Sequence, residues 1–403
     1  MILYYILMNK VTLANHFSQT ICVPCIQRQQ QQIHEWLQEY EKTHTPIYSS
    51  VDIRDAGFKI AVVDTNLFPA GFNNLCEHGI EDSIDFIKDA VNKRVPHAQN
   101  ILIVTEDYTR NTGYLENVRI LQDIISKAGF KTNVSMLKDI RAGQTSYDLI
   151  IMNNDLSGGI PQALVQAGIP MFPSIHAGWH SRHKSEHFRH TNTLMKEFAY
   201  MVGLDPWLFS CLYRVLDHID INSDEDKQRL YSQAKDLFEE IQTKYTQHGI
   251  EEKPFIFIKA DSGTYGLGVV PVEDPRQILD FNRRKRNDLS RGKNAQETTR
   301  FLLQEGVATI HRIEEKTSEV CIYQIDNNLV GGFYRFHTTK SSRENLNSPG
   351  GMEFQKMCPH LDKYGKDCGI KHDLNIFDIY RILARIAGVA AGREIKALEN
   401  KES

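Results

Sequence analysis

Two hydrophobic periods alternate along this chain, and the switches between them mark its elements. Residues 26–42 read as a polar helix containing a glutamine-rich run, Gln27 to Gln32. Residues 48–66 alternate around Asp55-Ala56-Gly57, the pattern of two strands joined by a turn. A helix is expected over 81–95, a buried strand over Ile101–Val104, and a helix over 111–128 that stops at Gly129. Strands follow at Thr132–Met136 and Tyr147–Met152. Residues 186–247 read as mainly helical, with Asp205-Pro206 as a break. Strands dominate from 254 onward: Phe255–Ile258, Val270–Val272, Arg300–Gln304, Val320–Ile325 and Leu329–His337. The last pair turns at Asp326-Asn327-Asn328. A final helix, 373–397, carries Ile376, Phe377, Tyr380, Leu383, Ala384 and Ala387 at helical spacing.

This order predicts an α/β chain that becomes α+β in its C-terminal half. Strands alternating with helices over 96–175 imply a small, doubly wound, Rossmann-like unit with a parallel sheet. Such sheets bind ligands at the ends of their strands, here near Glu106, Arg110, Asn111, Asn153, Asn154 and Asp155. The expected division is 1–95 (a helix and a hairpin that packs on the C-terminal half), 96–175, a helical connection at 176–253, and a strand-rich unit at 254–403.

Composition narrows the function classes. With 47 Lys+Arg against 51 Asp+Glu the net charge is −4, which argues against a nucleic-acid coat. The basic run Arg283–Arg286, followed by Arg291 and Lys293, lacks interleaved aromatic residues and reads as a solvated face. No apolar run approaches the roughly 18 residues that span a bilayer. Met1–Met8 lacks a basic start and a small-residue cleavage site, so it does not read as a signal peptide, and Met8 is an alternative start. Seven cysteines in 403 residues are expected as reduced thiols, which places the chain in the cytoplasm. Cys22-Val-Pro-Cys25 is a lone C-x-x-C; with Cys358 and Cys368 it reads as four unconnected thiols rather than a zinc site.

The sharpest local feature is Lys259 at the end of a strand, followed by Ser262-Gly263-Thr264-Tyr-Gly266-Leu-Gly268 and a second strand. Glycines let backbone N–H groups approach phosphate oxygens, Ser262 and Thr264 add hydroxyls, and Lys259 adds a cation. Further on, Gln304-Glu305-Gly306-Val307 ends an apolar strand in a polar hinge, which can offer backbone groups to adenine and a carboxylate to ribose. Glu319 and Arg335 then lie on two successive strands, followed by the polar loop Thr338–Gly351.

This order of parts resembles the ATP-grasp superfamily, and Arg343–Gly351 resembles the R-x-N-x-x-x-G-G loop of bacterial glutathione synthetases. More closely, the chain resembles a small bacterial family of glutamate–cysteine ligases. The likeness rests on Ser50–Lys59, Val63–Asn74, His176-Ala-Gly-Trp-His180, Lys259–Gly266 and Gly331–Arg335, and runs over about 45–395. It implies that ATP, L-glutamate and L-cysteine give γ-glutamylcysteine, ADP and phosphate, the first step of glutathione synthesis, through a γ-glutamyl phosphate. It also implies small-molecule substrates alone, with neither nucleic acid nor membrane as partner; the oligomeric state is left open. Lys259, Arg335 and Asn347 would act on the transferring phosphoryl group, with Gly350 and Gly351 closing over it. Ser262, Gly263, Thr264, Gly266, Gly268, Gln304, Glu305, Val307 and Glu319 would hold the nucleotide.

ATP-grasp chains end in a hairpin of magnesium ligands, and here only six residues follow the last helix. A similar hairpin lies at the other end, where Asp64 and Asn66 share one face of a strand and Asp52 lies on its neighbour. The expectation is therefore a circularly permuted ATP-grasp fold with Asp52, Asp64 and Asn66 holding Mg²⁺. The gap of 12 residues, 64 − 52, requires either a wide turn or a substitute first ligand, Glu319 or Asp326. Arg54, Lys59, Arg110 and Asn111 are the candidates for binding substrate carboxylates. The cluster His176, His180, Arg182, His183 and Lys184 suggests an anion site. Two other readings stay open: a different carboxylate–amine ligase, and an ATP-binding regulator without turnover.

Overall fold

The structure is a computed structural model of the 403-residue chain. It describes residues 21–43, 45–107, 110–143, 146–262, 268–290, 298–348, 350–358, 360 and 374–402.

The chain enters through α1 (Val23–Arg28) and α2 (Gln30–Glu41), which bury Ile26, Ile33 and Leu37. The single helix expected over 26–42 is broken at Gln29, whose backbone leaves the helical region. Cys22 and Cys25 are bonded to each other, and Cys358 is also disulfide-bonded, which corrects the expectation of thiols throughout. Cys76, Cys211 and Cys321 are free and buried.

A hairpin follows, β1 (Tyr48–Asp55) and β2 (Ile60–Asn66). Next come α3 (Glu77–Arg94), β3 (Asn100–Thr105), α4 (Thr112–Lys127), β4 (Lys131–Met136), β5 (Leu149–Asn153), the short α5 (Gln162–Val165) and β6 (Met171–Phe172). Strands β4-β3-β5-β6 form a parallel sheet in that order. Helix α3 buries Gly79, Ser83, Ile87, Ala90 and Val91, a single stripe at helical spacing.

The middle of the chain holds α6 (Lys184–Met201), β7 (Tyr213–Leu216) and α7 (Asp224–Gln247). Strand β7 was not expected; Tyr-Arg-Val-Leu is too short to show a period. Then come β8 (Ile256–Ala260), β9 (Val269–Val272), α8 (Arg283–Ser290), β10 (Phe301–Glu305), β11 (Arg312–Ile313), β12 (Lys316–Ile325), β13 (Asn328–His337), β14 (Met352–Met357) and α9 (Leu374–Glu402). Strands β7-β10-β8-β9 form one antiparallel sheet. The largest sheet runs β14-β13-β12-β1-β2, with β11 beside β12. Strand β14 also went unforeseen, because Met-Glu-Phe-Gln-Lys-Met is mostly exposed and carries no clean alternation.

The N-terminal hairpin is thus part of the C-terminal sheet. Strand β1 pairs antiparallel with β12, from Tyr48 opposite Ile325 to Ile53 opposite Val320. Helix α9 is buried on nearly every side from Phe377 to Ala391 and packs on α6, β1 and β2. A helix so surrounded is apolar all round, which explains its alanine-rich sequence. Helix α3 locks onto the face of the same sheet opposite α9 at Gly79, where an added Cβ would collide with the Val330 carbonyl oxygen. Gly79→Ala should therefore lower stability by about 1–3 kcal/mol, because a rigid backbone atom has to shift. An unchanged urea midpoint in that variant would show that α3 does not bear on the sheet.

Candidate active site

Three rungs of side chains cross the inner face of the largest sheet. Asn66, Ser50 and Tyr323 are register partners, as are Asp64, Asp52, Cys321 and Phe333. In the third rung Arg54 meets Glu319, which is opposite Arg335, which is opposite Phe354. The hairpin between Asp52 and Asp64 takes the wide route: the strands bulge between Asp52 and Ile53 and close at Ala56–Lys59, so the two aspartates end up as direct partners. Asp326 is not a substitute ligand. It sits in the β12–β13 turn, bound to Lys93 and Arg94.

These rungs form a chain of alternating charge. Arg54 Nε lies 2.5 Å from Glu319, Glu319 lies 3.0 Å from Arg335, and Arg335 meets both oxygens of Asp52 at 2.7 and 3.1 Å. Lys184, from the start of α6, donates to both oxygens of Asp64 at 3.0 and 3.1 Å. Burial opposes the charge on Asp64, yet Lys184 and Lys259 hold its carboxyl well below the ordinary range. Asp64 remains 40% exposed, so its oxygens still face the cavity. Asn66 is turned back on the chain, its Oδ1 accepting from the Phe68 N–H.

A second layer holds β2 from behind. Arg182 donates to both oxygens of Glu394 on α9 and, at 2.8 Å, to the Thr65 carbonyl. His187 hydrogen-bonds the Thr65 hydroxyl at 2.8 Å and lies 3.3 Å from Glu394. Burial disfavours charge on Glu394, but Arg182 and His187 pull its carboxyl down to about 2. Thr65 lies between Asp64 and Asn66 and points the other way, so this buried network sets where both project. Glu394 carried no sequence signal, since it is one acid in a charged stretch of helix.

Lys259 is the next-to-last residue of β8, and its Nζ reaches the Val63 carbonyl at 3.4 Å. A cavity of about 70 Å³ lies between this strand and the hairpin, lined by Asp52, Arg54, Asp64, Lys184, Lys259, Ser262, Gln304, Glu305, Glu319, Asn345 and Asn347. Phe257, Ala260, Val269 and Val307 give the same slit apolar walls. Gln304 lines this slit, and among the described residues its buried side-chain oxygen has no hydrogen-bond partner. Apolar walls with one orphaned acceptor suit a flat, NH-bearing ring.

A larger cavity, about 280 Å³, continues past Asp52, Asp64 and Asn347 to Glu106, Asn111, Asn153, Asp155 and Trp179. Asn111 caps α4 and lines this cavity, whereas Arg110 is exposed and lines neither. The loop after β13 is fastened over the site by Arg54, which donates to the Ser342 and Glu344 carbonyls at 2.9 and 2.8 Å. Gly350 and Gly351 take φ of +87° and +132°, a region open to glycine. Gly268, at φ +65°, packs against the Asp288 carbonyl; Gly263, Thr264 and Gly266 lie outside the described residues.

Two expectations give way here. Lys59 does not reach substrate, and the Glu305 carboxylate does not reach ribose. They are buried against each other at 2.7 Å, with Lys59 over the Trp207 ring. Glu305 also accepts from the Trp207 indole and the Leu212 N–H, both at 2.9 Å. Its backbone N–H donates to the Leu212 carbonyl at 2.8 Å, so its N–H and its carboxylate are both engaged within the protein. The histidine-rich cluster likewise disperses: Arg182 turns to Glu394, Lys184 to Asp64, and His180 to the Leu156 carbonyl.

The donor set fits a hard cation. Asp52 and Asp64 bring carboxylate oxygens together on one face, each already neutralised by a cationic side chain. Among the described residues no group of three or more Asp, Glu, His or Cys could hold a metal alone. Two carboxylates on one face are the share of its shell that Mg²⁺ takes from protein, phosphate and water completing the rest.

Glu305→Gln should leave Lys59 buried without its partner and cost about 3–5 kcal/mol in urea unfolding, with little change in the KM for ATP. A raised KM at unchanged stability would return Glu305 to the ribose. Burial lowers the Lys259 pKa to about 8 against the pull of Asp64. Lys259 is thus charged below about pH 8 and neutral above it, so ATP affinity measured without turnover should fall between pH 7 and 9. In Lys259→Arg the profile should be flat; a flat wild-type profile would remove Lys259 from the phosphates.

The model of the glutamate–cysteine ligase family matches residues 24–146 and 138–395. A crystal structure from Methylobacillus flagellatus KT, of a protein called a putative gamma-glutamylcysteine synthetase, is similar over 97% of this chain and 99% of that one. The two share 32% identity with a TM-score of 0.86. A glutathione synthetase-like effector from Globodera pallida (8% identity, 83% and 80% covered, TM-score 0.36) is too distant to carry an argument. The same holds for a D-alanyl-alanine synthetase A from Vibrio cholerae (12%, 64% and 73%, TM-score 0.33). A search of curated proteins finds no match. Among the described residues no helix is long and apolar enough to cross a membrane. A family match over most of the chain, joined to a close structural likeness along nearly its whole length, shows that the chain belongs to the glutamate–cysteine ligases.

Proposed function

We propose that this chain joins L-glutamate to L-cysteine at the expense of ATP, within a circularly permuted ATP-grasp fold whose last hairpin is β1–β2. One observation carries this reading: Asp64 from the front of the chain and Lys259 from its back half line one cavity. The apolar slit beside Gln304 takes the adenine. Lys259, Arg335 and Asn347 face the phosphate end.

The γ-phosphoryl group passes from ATP to the γ-carboxylate of glutamate and ADP leaves. The cysteine amine then attacks the acyl carbon, a proton is lost, and phosphate departs. Little of this needs a protein nucleophile; the chain positions the reactants and meets developing negative charge. Asp52 and Asp64 would hold Mg²⁺, with Asn66 joining them only by leaving Phe68, and the ion would neutralise phosphate charge when bound. Arg335 is prepared for the phosphoryl oxygens by its rigid hold between Asp52 and Glu319. Arg54 serves the site by fixing the Ser342–Asn347 loop rather than by meeting substrate. The second cavity, which opens from Asp64 toward the ends of β3 and β5, receives the amino acids.

Phosphate release with ATP, Mg²⁺ and glutamate should appear only when cysteine is added, together with a γ-linked dipeptide. Asp64→Asn should lower kcat by about 10²–10³-fold in a protein that remains folded, with a lower thermal midpoint because Lys184 loses its partner. Phosphate release without dipeptide, a different preferred amine, or a fully active Asp64→Asn would each overturn the reading.

A further inference from the structure

The inner face of the largest sheet changes character from one edge to the other. On β1 and β2 it carries Asp52, Asp64, Asn66 and Arg54. On β13 and β14 the same cavity is walled by Phe333, Met352 and Phe354, with Cys321 beside them. Phe354 is 38% exposed, and of the exposed large apolar residues it is the one that lines this cavity. It meets Phe333 edge-to-face at 5.1 Å between ring centres, while Phe333 itself is buried.

This apolar sector begins next to the phosphoryl end, since Phe354 is the register partner of Arg335. Direct partners on adjacent strands lie only about 4.5–5.5 Å apart at their Cα atoms. An amine that attacks an acyl group held at Arg335 would therefore place its own short side chain on Phe354. Of the two amino acids, glutamate is charged at both ends of its chain. Only cysteine brings an uncharged side chain, and its sulfur is polarizable and favours the edges and faces of aromatic rings.

Resting on the ligase reading above, we infer that Phe333, Met352 and Phe354 form the subsite that holds the cysteine side chain and selects a thiol-bearing amine. The subsite excludes serine by offering its hydroxyl no partner, and discriminates against L-2-aminobutyrate by the sulfur–aromatic contact alone.

The test is steady-state kinetics of purified Phe354→Ala, Phe354→Leu and Met352→Ala with L-cysteine, L-2-aminobutyrate and L-serine. Phe354 lies on an exposed edge strand, so its substitution should leave the thermal midpoint in place. Phe354→Ala should raise the KM for cysteine about 3- to 10-fold, the range of a lost sulfur–aromatic contact, with the KM for ATP and glutamate changed less than about 2-fold. The preference for cysteine over L-2-aminobutyrate should shrink in Phe354→Ala and partly in Phe354→Leu. An unmoved cysteine KM, or equal rises for all three substrates, would overturn the subsite while wild-type dipeptide synthesis leaves the ligase reading standing. A wild-type protein that forms no γ-glutamylcysteine would overturn both.

Discussion

The pairing of β1 with β12 is the constraint on which the rest of the structure depends. It brings a hairpin from residues 48–66 against strands from beyond residue 316, so that Asp52 lies directly opposite Cys321 and within reach of Arg335. Without that pairing the acidic and basic halves of the site would belong to different parts of the molecule. The join is reinforced from both faces. Helix α9 covers β1 and β2 on one side, and α3 presses on β12 and β13 from the other. Backbone ladders of this kind are cooperative and register-specific, because a one-residue slip would turn every site residue into the core.

Charge is handled in two different ways in this pocket. The chain Arg54–Glu319–Arg335–Asp52 is buried, satisfied and rigid, so its groups present fixed dipoles with little reorganisation left. Asp64 and Lys259 are less completely enclosed in partners. Asp64 faces the cavity, and Lys259 lies over the Phe188 ring with a long contact to the Val63 carbonyl. These two groups have fewer fixed partners than the chain that includes Asp52 and Arg335. The pair Lys59–Glu305 is the opposite case: it lies a few residues from the proposed adenine contact, yet it serves the packing of the hinge against Trp207.

Much of this was legible in the chain. The Asp64-Thr65-Asn66 alternation, the Lys259 strand and its glycines, and the Glu319/Arg335 strand pair each carry a local signature that survives without coordinates. Lys59 and Glu305 misled because a lysine and a hinge acid look the same whether they face solvent, substrate or each other. Glu394 and Phe354 were invisible for a related reason: their roles come from neighbours more than 200 and at least 19 residues away, Arg182 and Arg335. The disulfide at Cys22-Cys25 shows the same limit, since a C-x-x-C spacing permits a bond, a metal or two thiols equally.

Sequence by itself determined most of the element order, the residue types of the candidate phosphate loop, the hard-oxygen character of the metal candidates and the family likeness. Each of these is written in composition or in spacings shorter than one strand or loop. Tertiary structure decided which charges are spent on one another, which remain open to a ligand, and that two distant segments share a wall. Those outcomes depend on burial and on long-range strand register, and neither is a property of any local stretch of chain.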